Sequence, residues 1–198
     1  VELHHGGEVL RERIGFRDIR AEGTRILLNG EDLILCGACV HEDDLATGRC
    51  SDEADIARRI GHAKELGANF LRLSHYPHDE RVARACDEAG VLIWAEIPVY
   101  WAIDFANPAT LADARNQLEE LIARDANRAS IILWGVGNEN ADTEARLAFM
   151  ATLAQAARQA DPSRLVTAAC LSNRATFQFE DRLAVHLDVI GLIEYVGW

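Results

Sequence analysis

Near its middle the chain sets an amide beside a carboxylate at the end of an apolar run: "IILWGVGNEN", Ile131 to Asn140. Glu139 is of a type and in a place suited to giving or taking a proton, and Asn138 could hydrogen-bond whatever Glu139 acts upon. A solvated loop charge is the plainer reading of Glu139 taken alone. Strand alternation would send Asn138 and Glu139 to opposite faces. For both to meet one substrate the strand end must bulge or twist, and Gly135 and Gly137 are cheap places for that. Close packing of a neighbouring element would explain the same glycines.

Further candidates follow other apolar runs. "HEDD" (41–44) offers a hydrogen-bonding cluster that includes Asp43, or merely a solvated acidic loop. "SHYPH" (74–78) holds His75 and His78 in an H-x-x-H, but the intervening Pro77 makes a helical two-histidine zinc site a poor expectation. His75 reads better as a substrate-facing group, against the alternative of a satisfied structural histidine. Cys36 and Cys39 form a C-x-x-C inside "LILCGACV" with no second pair to complete a zinc site, and are expected to be small buried strand residues. No metal and no cofactor is therefore expected. No G-x-S-x-G elbow for a serine nucleophile occurs. Some of Trp94, Trp101, Trp134 and Trp198 could wall a sugar site, with core packing the default for Trp94 and Trp134.

The elements that would position these groups are legible as a rhythm. Short apolar runs at 33–40, 69–74, 91–97, 131–137, 165–170 and 187–193 are rich in Ile, Leu and Val and mostly do not alternate, as in parallel strands covered on both faces. Between them run helical stripes: Ile56, Ile60, Ala63 and Leu66 before Gly67; Val82, Cys86 and Ala89 before Gly90; Leu111 to Ile122 after Pro108; Leu147 to Ala157 before Pro162. "RATFQFEDRL" (174–183) could hold a further short helix. Before the first run, "GFRDIRAEGTRILLNGEDLIL" reads as a hairpin turning at "NGED".

Such alternation means an α/β fold, either a doubly wound sheet or an incomplete (β/α)8 TIM barrel. No G-x-G-x-x-G or phosphate loop follows the first strand, which weakens the nucleotide-binding option. Polar groups gather after strand upon strand instead: His41 to Asp43, His75, Glu96, Asn138 and Glu139, then Glu194 and Tyr195. Convergence from many C-terminal strand ends is the habit of a barrel's active face. The expectation is a barrel truncated after about six strands and preceded by a short β hairpin.

The 198 residues carry a formal net charge of −12, which argues against nucleic-acid or anionic-membrane partners. No apolar run approaches a membrane span, and no signal pattern opens the chain, although either could lie upstream. Five cysteines, an odd number, do not suggest a disulfide framework and mildly favour a reducing, cytoplasmic setting.

Taken together, "GFRDI", "LLNGEDLILCGACVHEDD", "GANFLRLSHYP", "CDEAGVLIWAEIP", "RDANRASIILWGVGNEN", "DPSRLVTAA" and "LDVIGLIEYVGW" resemble, in order, the barrel domain of glycoside hydrolase family 2, bacterial β-glucuronidase-like members above all and the family's β-galactosidases as well. The resemblance implies that residues 1–20 end a preceding immunoglobulin-like domain or linker. Residues 21–198 would be a partial barrel lacking its last two β/α units. It implies retaining hydrolysis of a terminal β-linked sugar, with a carbohydrate as the partner and room for a homo-oligomer in a longer protein. Glu139 matches the family's general acid/base, Asn138 the residue bonding the sugar 2-hydroxyl, Asp43 a sugar-hydroxyl acceptor, His75 an active-site histidine, and Tyr195 the tyrosine beside the nucleophile.

The departures matter as much. The family's nucleophile, a Glu ending the seventh strand, would fall beyond Trp198, so this piece alone is expected to be inactive. Neither Glu180 nor Glu194 is promoted to that role. Ile193 stands where relatives commonly have Asn, and "NRAS" replaces the commoner Asn-His-Pro-Ser. The lysine motif that reads a glucuronate carboxylate would also lie further on. A barrel that kept its fold and binds carbohydrate without catalysis is the alternative.

Overall fold

The structure, a computed structural model, describes all residues except 50, 174, 177 and 195–198. A first hairpin, β1 (Glu2–His5) and β2 (Glu8–Arg11), turns at Gly6-Gly7, both at positive φ. Three antiparallel strands follow: β3 (Ile19–Glu22), β4 (Arg25–Leu28) and β5 (Glu31–Leu33). The expected turn is there, with Asn29 and Gly30 at φ 54° and 85°, as an Asn-Gly hairpin requires. A second hairpin closes at Gly23.

Six parallel strands then alternate with helices: β6 (Gly37–Val40), β7 (Phe70–Leu73), β8 (Leu92–Glu96), β9 (Ile131–Asn138), β10 (Leu165–Leu171) and β11 (Val189–Ile193). Each strand neighbours the next in sequence, so the order runs β6 to β11 without a reversal. A doubly wound sheet would reverse at a switch point. The sheet is therefore the curled wall of a TIM barrel, six strands of it.

The helices begin where their caps dictate. In α1 (Glu53–Glu65) Asp52 and Asp55 form a capping box, and α2 (Glu80–Ala89) starts on the Asp79 side chain and stops at left-handed Gly90. In α3 (Pro108–Asp125) Asn107 caps and Pro108 opens the first turn, while Thr143 caps α4 (Glu144–Ala160). The expected short helix in "RATFQFEDRL" is displaced: a one-turn 3₁₀ helix sits at Arg182–His186, capped by Asp181. No helix of the described residues is long and apolar enough to cross a membrane.

The strands bury two faces, as their unbroken apolar character demands. Leu71, Leu73, Ile93, Ala95, Ile131, Trp134 and Val166 face outward into a core shared with α1 to α4. Trp94, Ile132, Leu133 and Ala169 face inward, where Ile19, Ile26, Leu28 and Leu33 of the antiparallel sheet pack against them. Those inward contacts lie at the strand starts (Phe70, Leu92, Leu165, Val189), so β3 to β5 plug the N-terminal end of the barrel. The C-terminal end stays open to polar groups.

Two expectations need correction here. The run 33–40 is not one strand: β5 ends at Leu33 on the plug, and the barrel wall begins only at Gly37. Cys36 and Cys39 are exposed rather than buried: Cys36 lies in the link between β5 and β6, and Cys39 on β6, which pairs on one side only among the described residues.

Candidate active site

Alternation along β7 and β8 sets Arg72, Trp94 and Glu96 on the inward face, just above the apolar plug. Two charges there have left water, with Arg72 5% and Glu96 1% exposed, so each needs the other. Glu96 Oε1 accepts from Arg72 Nη2 at 3.0 Å and Oε2 from Arg72 Nε at 3.1 Å, and the guanidinium lies 4.3 Å over the Trp94 ring.

Two of the sequence candidates join this pair. His75, partly exposed past the end of β7, brings Nδ1 to 2.7 Å from Glu96 Oε1. Arg72 Nη2 also donates to Asn138 Oδ1 at 2.6 Å. The strand end carrying Asn138 does bulge. Between Gly135 and Asn138, β9 holds one residue more than its β10 partner, whose register runs from Thr167 to Ala169. Asn138 then exchanges backbone bonds with the β8 loop, accepting from Trp101 N–H at 2.9 Å and donating to the Val99 carbonyl at 2.9 Å. Glu139 turns the other way and donates its N–H to the Ala169 carbonyl at 2.8 Å, in the left-handed region at φ 52°. A non-glycine residue is held there only by determined surroundings, and such residues gather at functional sites. Asn140 pins the next turn, its Nδ2 donating to the Trp101 carbonyl at 3.0 Å.

Both readings of the glycines hold. A Cβ at Gly135 would stand 2.2 Å from Trp94 Nε1 and 2.6 Å from Glu96 Cβ; one at Gly137 would stand 2.3 Å from Met150 Cε. The bulge and the close packing are one arrangement.

Aromatic rings line the mouth. His41 meets His75 edge-on at 5.3 Å, and Tyr100 lies 5.8 Å from His75. Trp101 is exposed and Trp94 and Trp134 are buried, the latter donating to Asp161 Oδ2 at 2.9 Å. His78 parts company with His75: it is buried, its Nε2 lies 3.0 Å from the Ser74 carbonyl, and burial lowers its pKa to about 4. Asp43 stands outside the hydrogen-bonded cluster, exposed and 3.6 Å from Arg49. Tyr195 and Trp198 lie outside the described residues. Among the described residues no group of three or more His, Cys, Asp or Glu could hold a metal ion.

Sequence reasoning weighed Glu96 only as one strand-end polar group and missed Arg72 altogether. The signal was an arginine inside the apolar "NFLRLS", on the parity that faces Glu96 across the neighbouring strand. A cavity of about 370 Å³, lined by Arg17, Asn29, Leu33, Asn69 and Leu92 among others, lies at the opposite, N-terminal end of the barrel. The chemistry-bearing groups are not in it.

The cluster holds an amide and an imidazole over a buried ion pair, and Glu139 follows that amide directly in the chain. Known proteins resemble the chain that carries it. The family profile for "Glycosyl hydrolases family 2, TIM barrel domain" matches residues 19–188. The β-glucuronidase of Paenibacillus borealis is 31% identical over 198 residues, covering 94% of this chain and 33% of the relative. The human β-glucuronidase is 32% identical, covering 93% and 28%. Among solved structures, a β-glucuronidase from an uncultured Clostridium superposes with a TM-score of 0.90 at 28% identity, covering all of this chain and 35% of that one. A family 2 β-galacturonidase from Eisenbergiella tayi, bound to galacturonate, gives 0.83 at 33% identity, covering 90% and 32%. The chain thus spans about a third of the length of these relatives.

Proposed function

Since the chain belongs to glycosyl hydrolase family 2, we propose that it forms part of a retaining β-glycosidase of β-glucuronidase type, with Glu139 as its general acid/base. The observation that carries the proposal is the bulged end of β9, where Glu139 leaves the strand in a left-handed turn beside Asn138. Retaining enzymes hold two carboxyl groups about 5–5.5 Å apart. Glu139 would protonate the glycosidic oxygen as the C1–O bond breaks and a second carboxylate closes on C1. Glu139, now ionised, would take a proton from the water that attacks C1 and frees that carboxylate. We place the second carboxylate beyond Trp198, in a longer protein whose residues 1–20 here end a preceding domain. Asn138 is assigned to the sugar 2-hydroxyl and His75 to the substrate mouth, with Asp43 and Tyr195 as further sugar contacts. The substrate class is a terminal β-glucuronide, with a β-galactoside second.

The test uses the protein encoded by the gene read past Trp198. Glu139→Ala should abolish turnover of unactivated β-glycosides while activated aryl glycosides remain partly reactive, because a good leaving group needs little protonation. Equal losses on both would overturn the acid role. The 198-residue piece should turn over neither. One observation favours a second reading, a carbohydrate-binding barrel without catalysis: Ile193 packs with the inward apolar cluster, at the position where the family resemblance implies an Asn. Absence of a strand-ending Glu beyond Trp198 would decide for it.

A further inference from the structure

We propose that Glu96 is a positioning residue that acts through Arg72 to hold the Asn138 amide with its N–H₂ end toward the substrate. A guanidinium has five donors and no acceptor, so the group it meets at 2.6 Å must be the carbonyl oxygen of the Asn138 side chain. The chemistry of Arg72 therefore settles an orientation that the shape of an amide leaves open. The Nδ2 end is turned away from Arg72, and none of the hydrogen bonds that hold the cluster uses it.

Arg72 can serve this way only because Glu96 holds it. Oε1 takes His75 Nδ1 and Arg72 Nη2, and Oε2 takes Arg72 Nε and Nη2, so both oxygens are used. One carboxylate thus fixes the imidazole and the guanidinium together, and through the guanidinium the amide. A glutamine at 96 has a single oxygen. Whichever way it faces, its NH₂ group confronts a donor, either His75 Nδ1–H or the Arg72 fork, and the fork loses its seat.

The consequence is a specificity rule that rests on the reading of Glu139 and Asn138 given above. Asn138 donates, so its partner on the sugar must accept: the 2-hydroxyl oxygen binds Nδ2–H through a lone pair and sends its own proton elsewhere. A sugar without that oxygen gains nothing from the assembly.

The experiment compares an aryl β-glycoside with its 2-deoxy counterpart in the gene-length protein, for wild type, Glu96→Gln and Arg72→Lys. Both variants should lose on the order of 10²-fold in kcat on the 2-hydroxy substrate, the usual cost of a slightly misplaced group. Their loss on the 2-deoxy substrate should be much smaller, so the preference for the hydroxyl narrows. Equal fold losses on both substrates, or none, would overturn the proposal. If Glu96→Gln fails to fold, Arg72→Lys and Asn138→Asp carry the test. The aspartate keeps an acceptor for Arg72 and removes the donor, and should narrow the preference as far. Glu139→Gln separates this inference from its premise. Full activity in Glu139→Gln removes the acid/base reading. A dead Glu139→Gln beside an unchanged preference in Glu96→Gln removes only the role given to Glu96.

Discussion

At the scale of single residues, the site hangs on a strand end that is short of room. Gly135 faces Trp94 Nε1 and the Cβ of Glu96, both buried and held by their own packing. Gly137 faces the methyl end of Met150, a side chain that can swing, and Asn140 Oδ1. Gly135→Ala should therefore cost about 1–3 kcal/mol, as overpacking a tight interior does, and Gly137→Ala less. Urea midpoints at unchanged m-value would measure the difference, and the reverse ranking would refute the argument. The sequence announced this spot, because an amide and a carboxylate one residue apart cannot share a face of a regular strand. It did not announce Arg72, nor that Glu96 would meet it. A charged residue in an apolar run carries no hint of its partner until strand register is known, and register comes from the sheet.

At the scale of elements, what was legible followed the physical period of each segment. Five of the six barrel strands and all four α-helices sit on their apolar runs and stripes, with Gly90, Pro108 and the Asn29-Gly30 turn marking ends as backbone geometry requires. The first run failed because apolar residues serve both the plug and the wall, and nothing local marks the break at 34–36. Long-range pairs were illegible for a similar reason, and Arg146 shows it. It reads as a helix-surface residue of α4, yet it is fully buried and donates to both oxygens of Asp181 at 2.6 and 2.8 Å. Asp181 in turn caps the 3₁₀ helix through the Leu183 N–H at 2.8 Å, so one pair ties α4 to the segment that delivers β11. Asp181→Ala should cost about 3–5 kcal/mol, because it strands a buried guanidinium. Replacing both, as Arg146→Met with Asp181→Leu, should recover most of that loss. A double variant no more stable than Asp181→Ala in thermal unfolding would show that the pair contributes more than mutual compensation.

At the scale of the whole molecule, acid acts on folding and on association together. Burial lowers His78 from 6.5 to about 4, so the folded chain resists a proton that the unfolded chain accepts. Between those values the unfolded state binds more protons and stability rises with pH. The contribution is complete above about 6.5 and is lost as pH falls to about 4, at most about 3 kcal/mol. Asp161 opens a second window lower down. Burial alone would raise its pKa, but hydrogen bonds from Ser163, Trp134 and Arg164 win and hold it at about 2, so its contribution stands above 3.8 and fades toward 2. The upper window coincides with loss of charge: the net −12 at pH 7 vanishes near the isoelectric point of about 5.0. Among the described residues β6 and β11 each pair on one side only, and Ile190 and Leu192 of β11 are 42% and 44% exposed. In the isolated 198-residue piece, repulsion between like-charged molecules would oppose pairing of such edges. Lowering the pH from 7 to 5 should therefore reduce the urea midpoint and raise light scattering together. His78→Gln separates the two causes: its midpoint should stay flat across that range while its scattering rises as in wild type. A midpoint that falls as steeply in His78→Gln would remove His78 from the account, and unchanged scattering at pH 5 in both proteins would remove the strand edges.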